Sequence, residues 1–256
     1  MREDVVPTVP RMRPVSDDDL VVEQLRALLA QEAADAEDLP STGGWLQRMC
    51  RVATRDLPAS GVGVSLLSDG GELMTTAASS AATALVEELQ FSLGEGPCLL
   101  AHATRAPVLV PDLSELARTS WPGYAPAAHD HGVRAVFAFP LQVGATRLGA
   151  MDVYRNVVGD LSGTAQSRAL GYAELAVESL LHAGSTVGGA SALLDDGAGT
   201  PYEVYQAQGM VMVQLGVPGD VALARLRAHA YAEGQRLVEV AQDVLDRRLV
   251  LQRDDP

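Results

Sequence analysis

Lysine is absent from this chain of 256 residues: all 19 basic side chains are arginine, set against 33 acids for a net charge of −14. That balance argues against non-specific binding of nucleic acid over the whole surface. It leaves room for a local site, because residues 1–200 hold 13 Arg and 25 acids whereas residues 201–256 hold 6 Arg and 8 acids. Cysteine is nearly absent as well. Cys50 and Cys98 are too few for a disulfide framework or a four-cysteine zinc site. His102, His129 and His131 show no recognised metal-ligand spacing, and no metal is expected. No apolar run approaches the ~20 residues of a membrane helix. The opening MREDVVPTVPRMRP lacks the apolar stretch and small-residue cleavage site of a secretory signal. A cytoplasmic location away from the membrane is the default expectation.

What is present falls into two rhythms. Pro7, Pro10 and Pro14 mark a flexible tail over residues 1–18. Ser16 then resembles a helix N-cap backed by Asp17 to Asp19, which suit the helix dipole, and helical spacing runs from Leu20 to about Asp38. Trp45, Met49 and Val52 suggest a second helix. From Gly61 the period drops to two: GVGVSLL predicts a half-buried strand, joined through the turn SDGG to ELMTTA. SSAATALVEELQ predicts a helix, FSLGEGPCLLAHATR a glycine-punctuated loop entering a short helix, and APVLVPDL a strand. VRAVFAFPL and TRLGAMDVY pair around Gly144, and a long helix runs from Ser162 to about Ala183. This order predicts an α+β domain over 19–183, an antiparallel sheet with flanking helices. Residues 184–200 read as a Gly-rich linker. Residues 201–251 predict three helices of ten to fifteen residues, broken at Gly216 and Gly234, and 252–256 a tail.

QGMVMVQLG, residues 208–216, is the test of that last unit. On a helix, Val204, Tyr205, Val211, Met212 and Leu215 share one stripe; as a strand the segment has no neighbour to pair with. Met210 and Val213 fall off the stripe, which favours a docking or dimer contact. In the second helix Leu223, Leu226 and Ala230 form the buried line, flanked by Arg227 and Tyr231, with Arg225 and His229 nearer solvent. The third helix buries Leu237, Val240, Ala241, Val244 and Leu245. A three-helix unit presenting arginine, aromatic and amide side chains suits structured RNA, through phosphate contacts and base stacking. Against that stand the plainer readings: solvated or acid-paired arginines, and a Tyr231 ring packed on the third helix. Gly209 in mid-helix implies close approach of another helix.

YQAQGMVMVQLGV, ALARLRAHAYAEG and LVEVAQDVL together closely resemble the ANTAR domain, a three-helix RNA-binding module of bacterial transcription antiterminators. Upstream, LGEGPC, APVLVPDL, SWPGYAP, GVRAVFAFPLQVG and RLGAMDVYR resemble the GAF sensor domain found fused to ANTAR in actinobacteria, and the all-Arg, Ala-rich composition suits a high-GC genome. The resemblance implies a non-enzymatic regulator whose sensor controls the grip of a dimeric ANTAR module on a two-hairpin leader RNA. RNA contacts are then expected from Gln208, Arg225, Arg227, Tyr231, Arg236, Arg247 and Arg248. Three departures bear on affinity. Pro218-Gly219-Asp220-Val221 stands where many members have a Ser-x-x-Glu capping box, Gln208 replaces a lysine, and the arginine before the third helix comes one place late, in Gln235-Arg236.

The GAF resemblance places a pocket between the sheet face and segments 94–105 and 118–132, with Cys98, His102, Trp121 and Tyr124 as candidate ligand contacts. Three Phe and two Trp do not name the ligand or any cofactor, and a GAF domain that is empty and purely dimerising is an alternative. Cys98, at a helix start, is either a buried structural thiol, the simpler reading, or an oxidant sensor. The rival function is a dimeric GAF signalling protein whose helical tail docks a protein partner. An enzyme reducing free methionine sulfoxide ranks last, since two cysteines are few for that chemistry and the C-terminal module would be superfluous to it.

Overall fold

The computed structural model describes residues 17–32, 42–67, 73–115, 120–184 and 202–252. Residues 1–16 of the expected tail, the SDGG turn, residues 185–200 of the expected linker and the last four residues lie outside that range, while Asp17 and Asp18 open a helix and Gly184 ends one. Five strands form one antiparallel sheet in the order β2-β1-β5-β4-β3: β1 Gly61–Leu67, β2 Leu73–Ala78, β3 Val108–Val110, β4 Ala135–Val143 and β5 Thr146–Arg155. β4 and β5 pair from Ala135↔Arg155 to Val143↔Thr146, with Gly144 at φ 55° in the turn.

The two faces of the sheet are covered by different helices. α1 (Asp17–Gln31), α2 (Thr42–Asp56) and α6 (Gly163–Gly184) pack on one face, where Val62, Val64, Phe137, Phe139, Leu141, Met151 and Val153 join Leu25, Leu46, Met49 and Tyr172 in the main core. α3 (Ala81–Leu93), α4 (Pro97–Thr104) and α5 (Tyr124–Asp130) lie on the other. β1 is therefore buried on both faces, not half-buried as its alternation suggests. Its apolar positions, Val62 and Val64, face α2 and α6, while Gly61 and Gly63 face α3. A Cβ on Gly61 would sit 2.4 Å from Thr83 Oγ1, and one on Gly63 only 2.0 Å from Glu87 Oε1. Thr83 and Glu87 are one helical turn apart on α3. Two glycines at strand spacing thus match two side chains at helix spacing, and α3 seats directly on bare strand backbone.

The C-terminal residues form three helices: α7 Tyr202–Leu215, α8 Gly219–Glu233 and α9 Leu237–Leu245, the last at nine residues shorter than its sequence pattern suggests. QGMVMVQLG is helical up to Leu215. Gly216, at φ 66°, ends the helix by donating its N–H to Met212 O at 2.8 Å, the left-handed cap that favours glycine. Val204, Ala207, Val211 and Leu215 are buried with Ala222, Leu223, Leu226, Ala230, Leu237, Val240, Ala241 and Val244. Met212, expected inside, is partly exposed, and Val213 is 84% exposed. Pro218 caps α8 without a side-chain hydrogen bond, as the departure from Ser-x-x-Glu implies. At α9 the Arg236 N–H donates to Glu239 Oε2 at 3.2 Å. Arginine carries no acceptor to return the bond, so this is half a capping box.

The helical module shares a core with the α+β domain. Leu67, Phe91, Cys98 and Ala150 belong to the same buried cluster as α7, α8 and α9.

Candidate functional site

Between α3 and the sheet lies a cluster of fully buried polar groups. Ser65 comes from β1, Glu87 and Gln90 from α3, and Asp152 and Tyr154 from β5. Asp152 and Tyr154, at strand spacing, share the face that Ser65 shares with the two glycines. Ser65 Oγ donates to Glu87 Oε2 at 2.7 Å, and Gln90 Nε2 donates to Asp152 Oδ2 at 2.6 Å and to the Tyr154 hydroxyl at 3.1 Å. The Tyr154 hydroxyl also stands 2.9 Å from Glu87 Oε1 and 3.2 Å from Asp152 Oδ2.

That hydroxyl has one proton, and both neighbours are carboxyl oxygens. The proton is shared between them as a three-centre bond, with Glu87 Oε1 the nearer acceptor. The environment of Glu87 disfavours its charged form. Burial, then the charge of Asp152, push its pKa well above the usual range, against weaker opposition from Ser65 and Tyr154. Burial also raises Asp152, to about 7, opposed by its bonds from Gln90 and Tyr154. The Tyr154 hydroxyl donates to Glu87 Oε1 at 2.9 Å, with Asp152 Oδ2 at 3.2 Å as its longer acceptor, and burial favours the protonated form of both carboxyls.

Gln90 extends the network. Its Oε1 accepts the Cys98 N–H at 2.8 Å, which fixes the start of α4. Cys98 itself is fully buried, and burial together with Asp152 and Glu87 raises its pKa well above that of a free thiol. The thiolate an oxidant sensor needs is disfavoured. Of the other residues expected around a GAF-type pocket, Trp121 and Tyr124 meet edge to face at 6.2 Å, and Tyr124 and His102 are buried. Tyr124 lies close enough to Asp152 and Glu87 for their charge to add to its burial in raising its pKa. Glu95 Oε1 accepts the N–H groups of both Gly123 and Tyr124, at 2.6 and 2.7 Å, and so ties that segment to the end of α3.

On the helical module, the residues expected to meet RNA divide into groups. Arg227, half-buried, lies with its guanidinium 5.2 Å from the centroid of the Phe91 ring, and burial lowers its pKa. Arg236 Nη2 donates to both carboxylate oxygens of Glu88, at 3.0 and 3.2 Å. Tyr231 is 70% exposed rather than packed on the third helix. These three share the side that faces α3. Gln208 Nε2 donates to Gly219 O at 2.8 Å and joins α7 to α8. Arg247 and Arg248 lie beyond the far end of α9, where Arg248 Nε donates to Asp243 Oδ1 at 2.8 Å. Arg225 is half-buried.

Gly209 departs from expectation: a Cβ there would meet nothing within 4 Å, so no helix approaches it among the described residues. Gly209→Ala should therefore stabilise the module by ~0.5–1 kcal/mol through helix propensity. Thermal or urea unfolding checks this, and a loss of stability would mean that Gly209 is covered in solution.

The sequence reading missed Ser65, Glu87, Glu88, Gln90, Phe91, Asp152 and Tyr154. Two signals were available: Asp152 interrupts an otherwise apolar strand, and Glu87 falls on the apolar line of α3.

A five-stranded antiparallel sheet sandwiched between helices, followed by a three-helix module, is a GAF-like architecture with a helical C-terminal region. The GAF domain family model matches residues 44–177, and the chain belongs to that family. The ANTAR domain model matches residues 203–245, which places an ANTAR domain on α7 to α9. No curated protein matches the chain. Among solved structures, the GAF domain from Acinetobacter phosphoenolpyruvate-protein phosphotransferase is similar at TM-score 0.50 and 13% identity, over 66% of this chain and 96% of that one. The corresponding domain from Coxiella burnetii gives TM-score 0.48 and 15% identity, over 68% and 98%. A type II free methionine-R-sulfoxide reductase from Thermoplasma acidophilum gives 0.42 and 16%, over 54% and 91%. At such identities the likeness concerns the fold alone. No described helix is long and apolar enough to cross a membrane.

Proposed function

We propose that the chain is a non-catalytic regulator of transcription antitermination, acting in the cytoplasm as a dimer. Its ANTAR module binds paired hairpins of a leader RNA, and its GAF domain governs that binding. The observation that carries this reading is the ANTAR match on a three-helix unit that presents arginines beside an exposed Tyr231 ring. An unpaired loop base offers a flat face to such a ring, and phosphates suit the guanidinium groups. Val213, 84% exposed on α7, supports a second copy as the neighbour of that helix. It equally suits the rival reading, in which α7 docks a different protein.

The test is RNA crosslinking and sequencing in the host, followed by titration of the recovered leader. Tyr231→Ala should weaken binding by ~1–3 kcal/mol with helicity kept, because an exposed ring contributes little to the core. Arg225→Ala should lower affinity for all competent hairpins and flatten the salt dependence. If both variants bind as tightly as the parent at low and moderate salt, this face is not the RNA site, and protein docking becomes the leading account.

A further inference from the structure

The outward face of α3 offers the helical module two chemistries, a carboxylate and an aromatic ring. Glu88 takes Arg236 with both oxygens. Phe91, one turn minus one residue further on, takes Arg227 on its ring face and meets the Tyr205 ring edge to face at 6.3 Å. Past the helix end, a Cβ on Gly94 would fall 2.9 Å from Arg227 Nη1, so the guanidinium lies against bare backbone there. Paired anionic oxygens and a flat π face are also what an RNA offers an arginine, in its phosphates and its bases.

We propose that the outward face of α3, through Glu88 and Phe91, is an internal stand-in for RNA that occupies Arg236 and Arg227, so that leader RNA and α3 compete for the same two side chains. This rests on the RNA-binding reading above and specifies how the GAF domain would regulate it. Arg227 is half-buried against a neutral ring, and its Nε–H meets no acceptor among the described residues. A cleft of about 470 Å³ stays open beside it, between Leu93, Glu95 and Gly123 on one side and Ala224, Arg227 and Tyr231 on the other. A phosphate would give that guanidinium the charged acceptor it lacks.

The same helix connects this contact to the interior. Glu87 points into the buried cluster and Glu88 out to Arg236; Gln90 holds Asp152, and Phe91 holds Arg227. A change in the sensor interior that shifts or turns α3 moves both grips on the module at once.

The experiment uses the full chain and a pool of RNAs, each with two stem-loops of randomised loop sequence, with bound RNA counted by sequencing and the enriched members titrated. Glu88→Arg breaks the ion pair at a partly exposed position. Phe91→Leu keeps apolar volume and removes the ring face. Glu174→Arg, exposed on α6 across the sheet, makes the same charge change away from the contact. Circular dichroism checks folding, and the Glu88 variant carries the test alone if Phe91→Leu unfolds. The expected result is binding about tenfold tighter for Glu88→Arg than for both the parent and Glu174→Arg, within the usual range of coupling between sites. Equal or weaker binding by Glu88→Arg, with RNAs enriched by the parent, overturns the competition and leaves the RNA reading standing. Enrichment of no RNA by any of the proteins overturns that reading and the competition with it.

Discussion

Raising the pH from 5 to 8 lowers the melting temperature of the GAF domain, on the order of 5–10 °C, and Asp152→Asn removes the part of that slope that Asp152 contributes. The cause is the buried pair Glu87 and Asp152, whose folded-state pKa values both lie above those of the unfolded chain. In the window from ~4, where the unfolded carboxyls titrate, up to about 7 for Asp152, the folded state binds more protons than the unfolded state. Stability is therefore fully present below the unfolded values and falls as pH rises through the window. For a shift of this size the loss is on the order of 2–4 kcal/mol. Asparagine at 152 has no charge to bury, so the dependence left in that variant reports Glu87 and the remaining groups. A parent curve that is flat or rises over the same range would mean that neither carboxyl holds its proton in the fold.

Gly63→Ala should cost about 3 kcal/mol, in contrast to the gain expected at Gly209. One methyl is added in each case. At Gly63 it would arrive 2.0 Å from Glu87 Oε1 and 2.5 Å from Cδ, and Glu87 is fully buried. Either the carboxyl gives up Ser65 and Tyr154, leaving polar groups unpaired inside the protein, or α3 lifts from the sheet. The second course would also draw Glu88 from Arg236. Combining Gly63→Ala with Glu87→Ala removes the collision, so the double variant should be more stable than the sum of the two single losses allows. Strict additivity in chemical unfolding would show that the methyl and the carboxyl do not meet.

These outcomes separate what the residue pattern exposed from what it hid. Period two in GVGVSLL located β1, and the turn at Gly144 located the β4–β5 hairpin, because local backbone preference and apolar spacing act within a few residues. The same pattern understated the burial of β1. Alternation displayed Val62 and Val64, whereas the second covered face was made of glycines, which carry no hydropathy signal. QGMVMVQLG was legible as a helix from its stripe, yet Met212 lies partly exposed, since periodicity does not say how wide a face its neighbours cover. The buried cluster was missed because Ser65, Glu87 and Tyr154 are separated by 22 and 67 residues and become neighbours only when β1 and β5 pair beneath α3. Arg236 and Arg227 were legible as candidate RNA contacts. Their engagement by Glu88 and Phe91 is a tertiary fact, set by the docking of one domain on the other.

The double grip of Glu95 on Gly123 and Tyr124 gives the protein a built-in clock. One carboxylate oxygen holds two consecutive amides that close over the sensor interior, and Glu95 and Gly123 also line the cleft beside Arg227. Exchange of those two amide protons with solvent requires the clasp to open, so their protection reports the opening free energy of that segment alone. The interior and the output face are thereby read from a single pair of peptide groups, in deuterium uptake over time, with no label attached and no knowledge of what the sensor binds.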